Sequence, residues 1–442
     1  MQNWLAYTVA ELGLGIAERR IDPVELTESF LQAIESHELS HRIYSRVTRE
    51  RAVAEAKASR QRAVDDQRLS LIDGVPISWK DLFDTAQTAT ESGSLMLKDR
   101  MPSQDAIVLQ TARQSGLVCL GKTHMSELAF SGLGLNPMLE TPPNIHRHDA
   151  APGGSSSGAA ASVAFNLAAA AIGSDTGGSV RIPAAWNDLV GLKTTHGRLS
   201  LKGVVPLCES FDTVGPLCRN VEDTSLVFKA LTGSQVTRSQ PVEISQCRFA
   251  TLETVVLNEI QSIPLMAYEQ SLEKLRQAGA TIEPLAVIEL ERALDLAAVL
   301  YSAEAYAEWR EEIEAAPEKM YQMILNRFRS GKDVSAPDYI AAWSKLRQIR
   351  SLWKNACTPY DGVLAPTIPN LPPDLNRLQS EEAYYLRENQ MALRNTRIAN
   401  LMGICALTVP TAVSSCGIMI MGKASQEEAL LRYGASIELM LT

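Results

Sequence analysis

The chain has 442 residues, 45% of them hydrophobic and 21% charged, and a formal net charge of −9 at pH 7. That balance is the balance of an ordinary globular protein, long enough to bury a large core and shelter a dry site. The acidic sign argues against a surface that grips nucleic acid directly. The longest apolar stretch, 159–173, is too short to cross a membrane.

The first twenty residues show no basic flank followed by an apolar run, so no secretory leader is expected. The seven cysteines are scattered and form no C-x-x-C pair; they read as reduced, mostly buried thiols of a cytoplasmic protein. Asp22, Pro23 and Glu25 make a helix start, with Asp at the cap, Pro in the first turn and Glu at the third position. Leu26, Phe30, Leu31 and Ile34 then supply an apolar face. A charged helix is expected over 48–65, closing a helical N-terminal part, 1–65. A strand is expected over 69–79, broken near Gly74 and Pro76, with Lys80 and Asp81 at its end. A helix over 104–116 and a strand over 117–120 follow. The stretch 121–158 is loop-rich apart from a helical turn near 126–130. An Ala-rich helix and a short strand ending at Gly173 come next. Helices are expected near 220–232, 265–278, 289–327, 336–356 and 380–400, and strands at 362–365, 405–409 and 418–421. This alternation implies a sheet covered by helices.

Two Gly/Ser loops carry the candidate chemistry: Pro152-Gly153-Gly154-Ser155-Ser156-Ser157-Gly158 and Ser174-Asp175-Thr176-Gly177-Gly178-Ser179. Glycines let the backbone bend and expose successive N–H groups, which form a nest for an anion or a developing oxyanion. Neither loop matches a phosphate-binding G-x-x-x-x-G-K-[ST] pattern. A serine nucleophile needs a base. None of His37, His41, His124, His146, His148 and His196 falls in a recognisable triad arrangement, although triads assemble in space. A lysine serves instead if burial holds it neutral, and Lys80 follows Ile77, Ser78 and Trp79 at the end of a core strand. Taken singly, such a lysine is more often a solvated charge and such a loop a plain connection.

The blocks together are specific. Gly74-Val75-Pro76-Ile77-Ser78-Trp79-Lys80-Asp81 resembles the lysine motif of the amidase signature family, and the two Gly/Ser loops resemble its serine-rich motif. Gly177-Gly178-Ser179-Val180-Arg181-Ile182-Pro183-Ala184-Ala185 is the most specific block. The likeness continues through Gly191-Leu192-Lys193-Thr194 and Ser210-Phe211-Asp212-Thr213-Val214-Gly215-Pro216, and resumes at 361–367 and 400–410. Ser155 and Ser179 lie 24 residues apart, the spacing expected of the family.

The resemblance implies a three-layer α/β/α fold, a central mixed sheet with helices on both faces, formed by one domain over 1–442. It implies Ser179 as nucleophile, Ser155 as a bridging serine in a cis peptide after Gly154, and Lys80 as neutral base. The N–H groups of Thr176, Gly177, Gly178 and Ser179 would form the oxyanion hole. Asp175 and Arg181 are expected to pair beside the nucleophile loop, and Asp212 to brace it. The implied activity is hydrolysis of a carboxamide C–N bond through an acyl-enzyme, releasing ammonia or an amine, with no cofactor and no metal. The alternatives are the glutaminase-type subunit of a tRNA-dependent amidotransferase, and a hydrolase of urea-derived carboxamides such as allophanate. A non-catalytic protein on the same fold is disfavoured because Lys80, Ser155 and Ser179 are all present. The expected partner is a small amide, with no direct nucleic acid and no membrane, and a homodimer is the default assembly. The loop near 130–135 and the divergent helix-rich part, 235–400, are expected to wall the pocket. His146-x-His148 has poor spacing for a metal site. His196 is expected to be packed, and Trp79 either narrows the pocket or joins the core.

Overall fold

A computed structural model describes residues 4–441; Met1 to Asn3 and Thr442, the ends of the expected 1–442 domain, lie outside the described residues. Eleven strands form one mixed sheet. They are β1 Tyr44–Val47, β2 Pro76–Lys80, β3 Val118–Thr123, β4 Ala170–Ser174, β5 Val190–Lys193, β6 Val214–Cys218, β7 Arg248–Leu252, β8 Thr281–Leu285, β9 Gly362–Pro366, β10 Ala406–Pro410 and β11 Gly417–Met421. Their order across the sheet is β1-β3-β2-β4-β6-β5-β10-β11-β9-β7-β8. β2 runs parallel to both β3 and β4, and β7 parallel to β8 and β9, while the middle of the sheet is antiparallel.

Alternation along the central strands sends side chains to two separate cores. Leu407, Val409, Ile418, Ile420, Leu364 and Phe249 face a core shared with Phe228, Leu275 and Leu430, which come from the helices Val221–Thr232, Ser262–Gln277 and Glu427–Leu441. Ala406, Met419, Met421, Val363 and Ala250 face the opposite core with Leu300, Leu346 and Ile398. Those three come from the helices Glu289–Ala315, Ala336–Cys357 and Glu382–Met402. The expected three-layer α/β/α architecture with helices on both faces is the one found.

Several boundaries differ from expectation for physical reasons. The first expected strand begins only at Pro76, because Gly74 turns the chain at φ +94° and buried Asp73 holds the preceding loop through Leu69 N and Arg62. The helix expected over 289–327 stops at Ala315 and resumes at Gln322–Arg329, since Pro317 has no N–H to donate and disfavours helical backbone at Ala316. The helix-rich part, 235–400, contributes β7, β8 and β9 to the same sheet. The N-terminal part likewise contains β1, an edge strand antiparallel to β3. The short strands β5 and β6 are hidden in the sequence because their residues read as motif rather than as an apolar run.

The cap at Asp22 forms as the sequence implies, its Oδ1 accepting from Val24 N at 2.7 Å and Glu25 N at 3.2 Å. Loss of a helix cap typically costs about 1 kcal/mol. Urea unfolding of Asp22→Ala is therefore expected to show a stability loss of about that size.

Candidate active site

β2 and β4 are parallel neighbours, so their carboxyl ends open on the same side of the sheet, where α/β proteins build their sites. Lys80 is the last residue of β2 and Ser174 the last of β4. Lys80 is fully buried, and its Nζ lies 2.7 Å from Ser155 Oγ and 2.7 Å from Ser174 Oγ. Among the described residues no carboxylate contacts it directly. The adjacent Asp81 is taken by buried Lys122 at 3.0 Å. Burial pushes the Lys80 ammonium down to about 7, against the opposing pull of the Asp212 and Asp175 charges.

The first Gly/Ser loop turns through Gly153 and Gly154, at φ +89° and +58°, and delivers Ser155 to Lys80 just before the helix Ser157–Ala164. This corrects one expectation: the Gly154–Ser155 peptide is trans, and no cis peptide occurs among the described residues. The two left-handed glycines make the bend that presents the hydroxyl. Ser156 N donates to Ser179 O at 3.2 Å, and Ser156 Oγ lies 3.1 Å from Ser174 O, so the two loops are tied together at their centres.

The second loop is organised by Asp175. Its carboxylate accepts from Gly178 N at 2.9 Å, Val180 N at 3.1 Å and Asn400 Nδ2 at 2.9 Å, and pairs with Arg181 at 2.8 Å. Both partners of that ion pair are fully buried. Burial alone would raise Asp175, but the Arg181 charge and these hydrogen bonds hold it down at about 2. Arg181 also donates to Thr396 O and Asn400 Oδ1, each at 2.7 Å. Thr176 Oγ1 donates to Asp212 Oδ1, whose carboxyl burial pushes up to about 6. Gly178 sits at φ +137°, and a Cβ there would come within 2.1 Å of Thr396 Oγ1, so the position admits only glycine. Because Gly178 N–H is spent on Asp175, the N–H groups of Thr176, Gly177 and Ser179 are the ones left to meet a ligand.

Ser179, Thr176 and Gly177 line a narrow cavity walled by Phe130, Leu207, Tyr301, Leu393, Arg327 and Arg397. The expected wall at 130–135 thus reaches it through Phe130, and the helix-rich part supplies most of the remainder. Phe130, Tyr301, Arg327 and Arg397 also line a larger outer vestibule. Ser174, Thr396, Asn400, Tyr301, Arg327 and Arg397 are site residues that sequence reasoning does not single out. Ser174 is deducible only from the parallel register of β2 and β4; the others sit on helices far along the chain.

Two further residues resolve differently from one another. Trp79 belongs to the core, edge-on to Phe83 with ring centroids 5.2 Å apart. His196 is exposed rather than packed, on the turn after β5, where its Nε2 lies 2.8 Å from Glu209 O. All seven cysteines are free and buried. Among the described residues no cluster of metal-ligating side chains occurs, and no helix is long and apolar enough to cross a membrane.

The model of the family described as Amidase matches residues 25–431. The chain belongs to the amidase family. It is a hydrolase acting on C–N bonds. It is 34% identical over 387 residues to a 2-amino-5-chloromuconic acid deaminase of Comamonas testosteroni, covering 85% of this chain and 83% of that one. It is 27% identical over 475 aligned positions to the A-type subunit of glutamyl-tRNA(Gln) amidotransferase from Streptococcus pneumoniae, covering 98% and 95%. A solved structure described as an amidase superposes with a TM-score of 0.89 at 25% identity, covering 99% of this chain and all of that one.

Truncating Asp175 leaves the Arg181 guanidinium buried without its counter-charge. Breaking a buried pair in this way costs about 3–5 kcal/mol. Asp175→Ala is expected to lower unfolding stability by that amount, and Asp175→Asn by less, in urea titrations.

Proposed function

We propose that the protein hydrolyses a carboxamide through an acyl-enzyme on Ser179, with Ser155 and Lys80 as the proton relay. The observation that carries this reading is Lys80: a buried lysine, without a contacting carboxylate among the described residues, 2.7 Å from a serine on the loop tied to Ser179. A neutral amine has two N–H bonds and one lone pair. Here it donates to Ser174 Oγ and accepts the Ser155 proton. Ser155 in turn accepts the proton of Ser179 as Ser179 Oγ bonds to the amide carbon. The oxyanion is met by the N–H groups of Thr176, Gly177 and Ser179, and Gly178 contributes the bend. Losing one such donor in comparable enzymes costs about 3–4 kcal/mol of barrier.

The relay then runs backwards and protonates the leaving nitrogen, the C–N bond breaks, and ammonia departs. Water, deprotonated along the same path, attacks the ester and frees Ser179. The sum is R–CO–NH2 plus H2O giving R–COO⁻ plus NH4⁺. A second reading, the glutaminase-type component of a tRNA-dependent amidotransferase, is favoured by the alignment to the Streptococcus pneumoniae protein over nearly the whole chain. It uses the same chemistry, and differs in requiring a partner and in taking glutamine.

The relay requires unprotonated Lys80, so activity rises with pH as the ammonium is lost. The kcat/KM profile for a simple amide is expected to climb through a limb near pH 7, set by a lysine brought down to about 7 by burial. Intact-mass detection of a fluorophosphonate adduct should succeed on the wild type, vanish in Ser179→Ala and fall sharply in Lys80→Ala. Persistent labelling of Ser179→Ala would place the nucleophile elsewhere.

A further inference from the structure

The cavity beside Ser179 holds two guanidinium groups that the relay does not use. Arg327 donates to Phe130 O at 2.9 Å, and its Cζ sits 4.2 Å from the Phe130 ring centroid. Arg397 lies with its Cζ 5.7 Å from the Tyr301 ring centroid. It reaches the oxyanion loop as well, for a Cβ on Gly177 would be 3.7 Å from Arg397 Nε. Neither arginine pairs with a carboxylate among the described residues, whereas the structure's buried Arg181 is fully paired. No Asp or Glu among the described residues lines this cavity. Burial, and then the neighbouring Arg397 charge, push the Arg327 guanidinium down to about 10, so it stays charged at neutral pH.

A second observation is independent of charge. Tyr301, 7% exposed, lines the same cavity, and its hydroxyl is buried with no hydrogen-bond partner among the described residues. Its ring is fixed by stacking on Phe211, with centroids 4.4 Å apart. A buried hydroxyl without a partner is costly, and so are two neighbouring cations without an anion. One ligand group satisfies all three: a carboxylate, which takes two forked guanidinium donors and one phenolic O–H.

We propose that Arg327, Arg397 and Tyr301 form an anion clamp that selects amides carrying a carboxylate on the acyl side. The proposal rests on the reading of Ser179 as nucleophile. The clamp lies where the narrow cavity meets the vestibule, so the carboxylate is held outward and the carboxamide points inward. The inner cavity carries no acidic residue among the described residues, whereas Glu259, Asp295 and Glu382 line the vestibule on the carboxylate's outward side.

The test compares kcat/KM for malonamate, succinamate and glutaramate with propanamide, butanamide and pentanamide, in which a methyl group replaces the carboxylate. At least one acidic amide is expected to exceed its neutral counterpart about 100-fold or more. That ratio should fall about tenfold or more in Arg397→Met and in Arg327→Met, and severalfold in Tyr301→Phe. A wild-type ratio near one, or a ratio unmoved by both arginine substitutions, overturns the proposal. Calorimetric titration of Ser179→Ala protein with succinate separates the two readings. If no amide of either series is turned over, succinate binding that is lost in the Arg397→Met background retains the clamp and rejects the nucleophile reading. Absence of succinate binding rejects the clamp.

Discussion

The site depends on keeping one amine out of water without giving it a counter-ion. A lysine contacted by a carboxylate would stay protonated and be useless as a base. Here Lys80 ends a strand that is buried along its whole length, and the carboxylate next to it in sequence is turned to Lys122. Asp175 and Asp212, the charges that do act on Lys80, are each committed to other groups. Desolvation therefore wins over attraction. The hydroxyls of Ser155 and Ser174 satisfy the amine without charging it.

A second constraint fixes the other half of the site. The loop after β4 contains little side chain to pack, so its shape comes from hydrogen bonds. Asp175 draws in Gly178, Val180 and Arg181, and Arg181 in turn binds the backbone and side chain of the helix Glu382–Met402. The same helix carries Arg397 and, through Thr396, holds the carbonyl of Gly177. The Ser179 loop and the cavity wall that carries Arg397 are thus braced by one element, so a change in the helix is felt at both.

Much of this is legible in the sequence where local pattern and chemistry coincide. Lys80 at a strand end, the paired Gly/Ser loops and the Asp175–Arg181 pairing follow from short stretches of chain with strong local demands. Gly178 is legible as part of the Gly/Ser nest, but not as the turn whose N–H Asp175 takes. Less is legible where contacts are made across hundreds of residues. Thr396, Arg397 and Arg327 carry no local sign of their role, since a helical arginine reads as a solvated face until the fold shows what lies beneath it. The same limit hides β7 and β8, whose short strands are stabilised by neighbours rather than by propensity. The trans peptide before Ser155 escapes for the opposite reason: an expectation carried by resemblance outruns what two left-handed glycines already accomplish.

The proposed relay turns on the protonation of Lys80, and that can be observed directly. Protein labelled with ¹³C at lysine Cε would be titrated by NMR, with the Lys80 signal identified by its loss in Lys80→Met and separated from that of Lys193, another buried lysine brought to about 7. The relay requires a Lys80 signal that titrates near pH 7 and belongs to the neutral amine above it. A Lys80 signal that stays that of an ammonium up to pH 10 would contradict the relay, whatever the fate of Ser179.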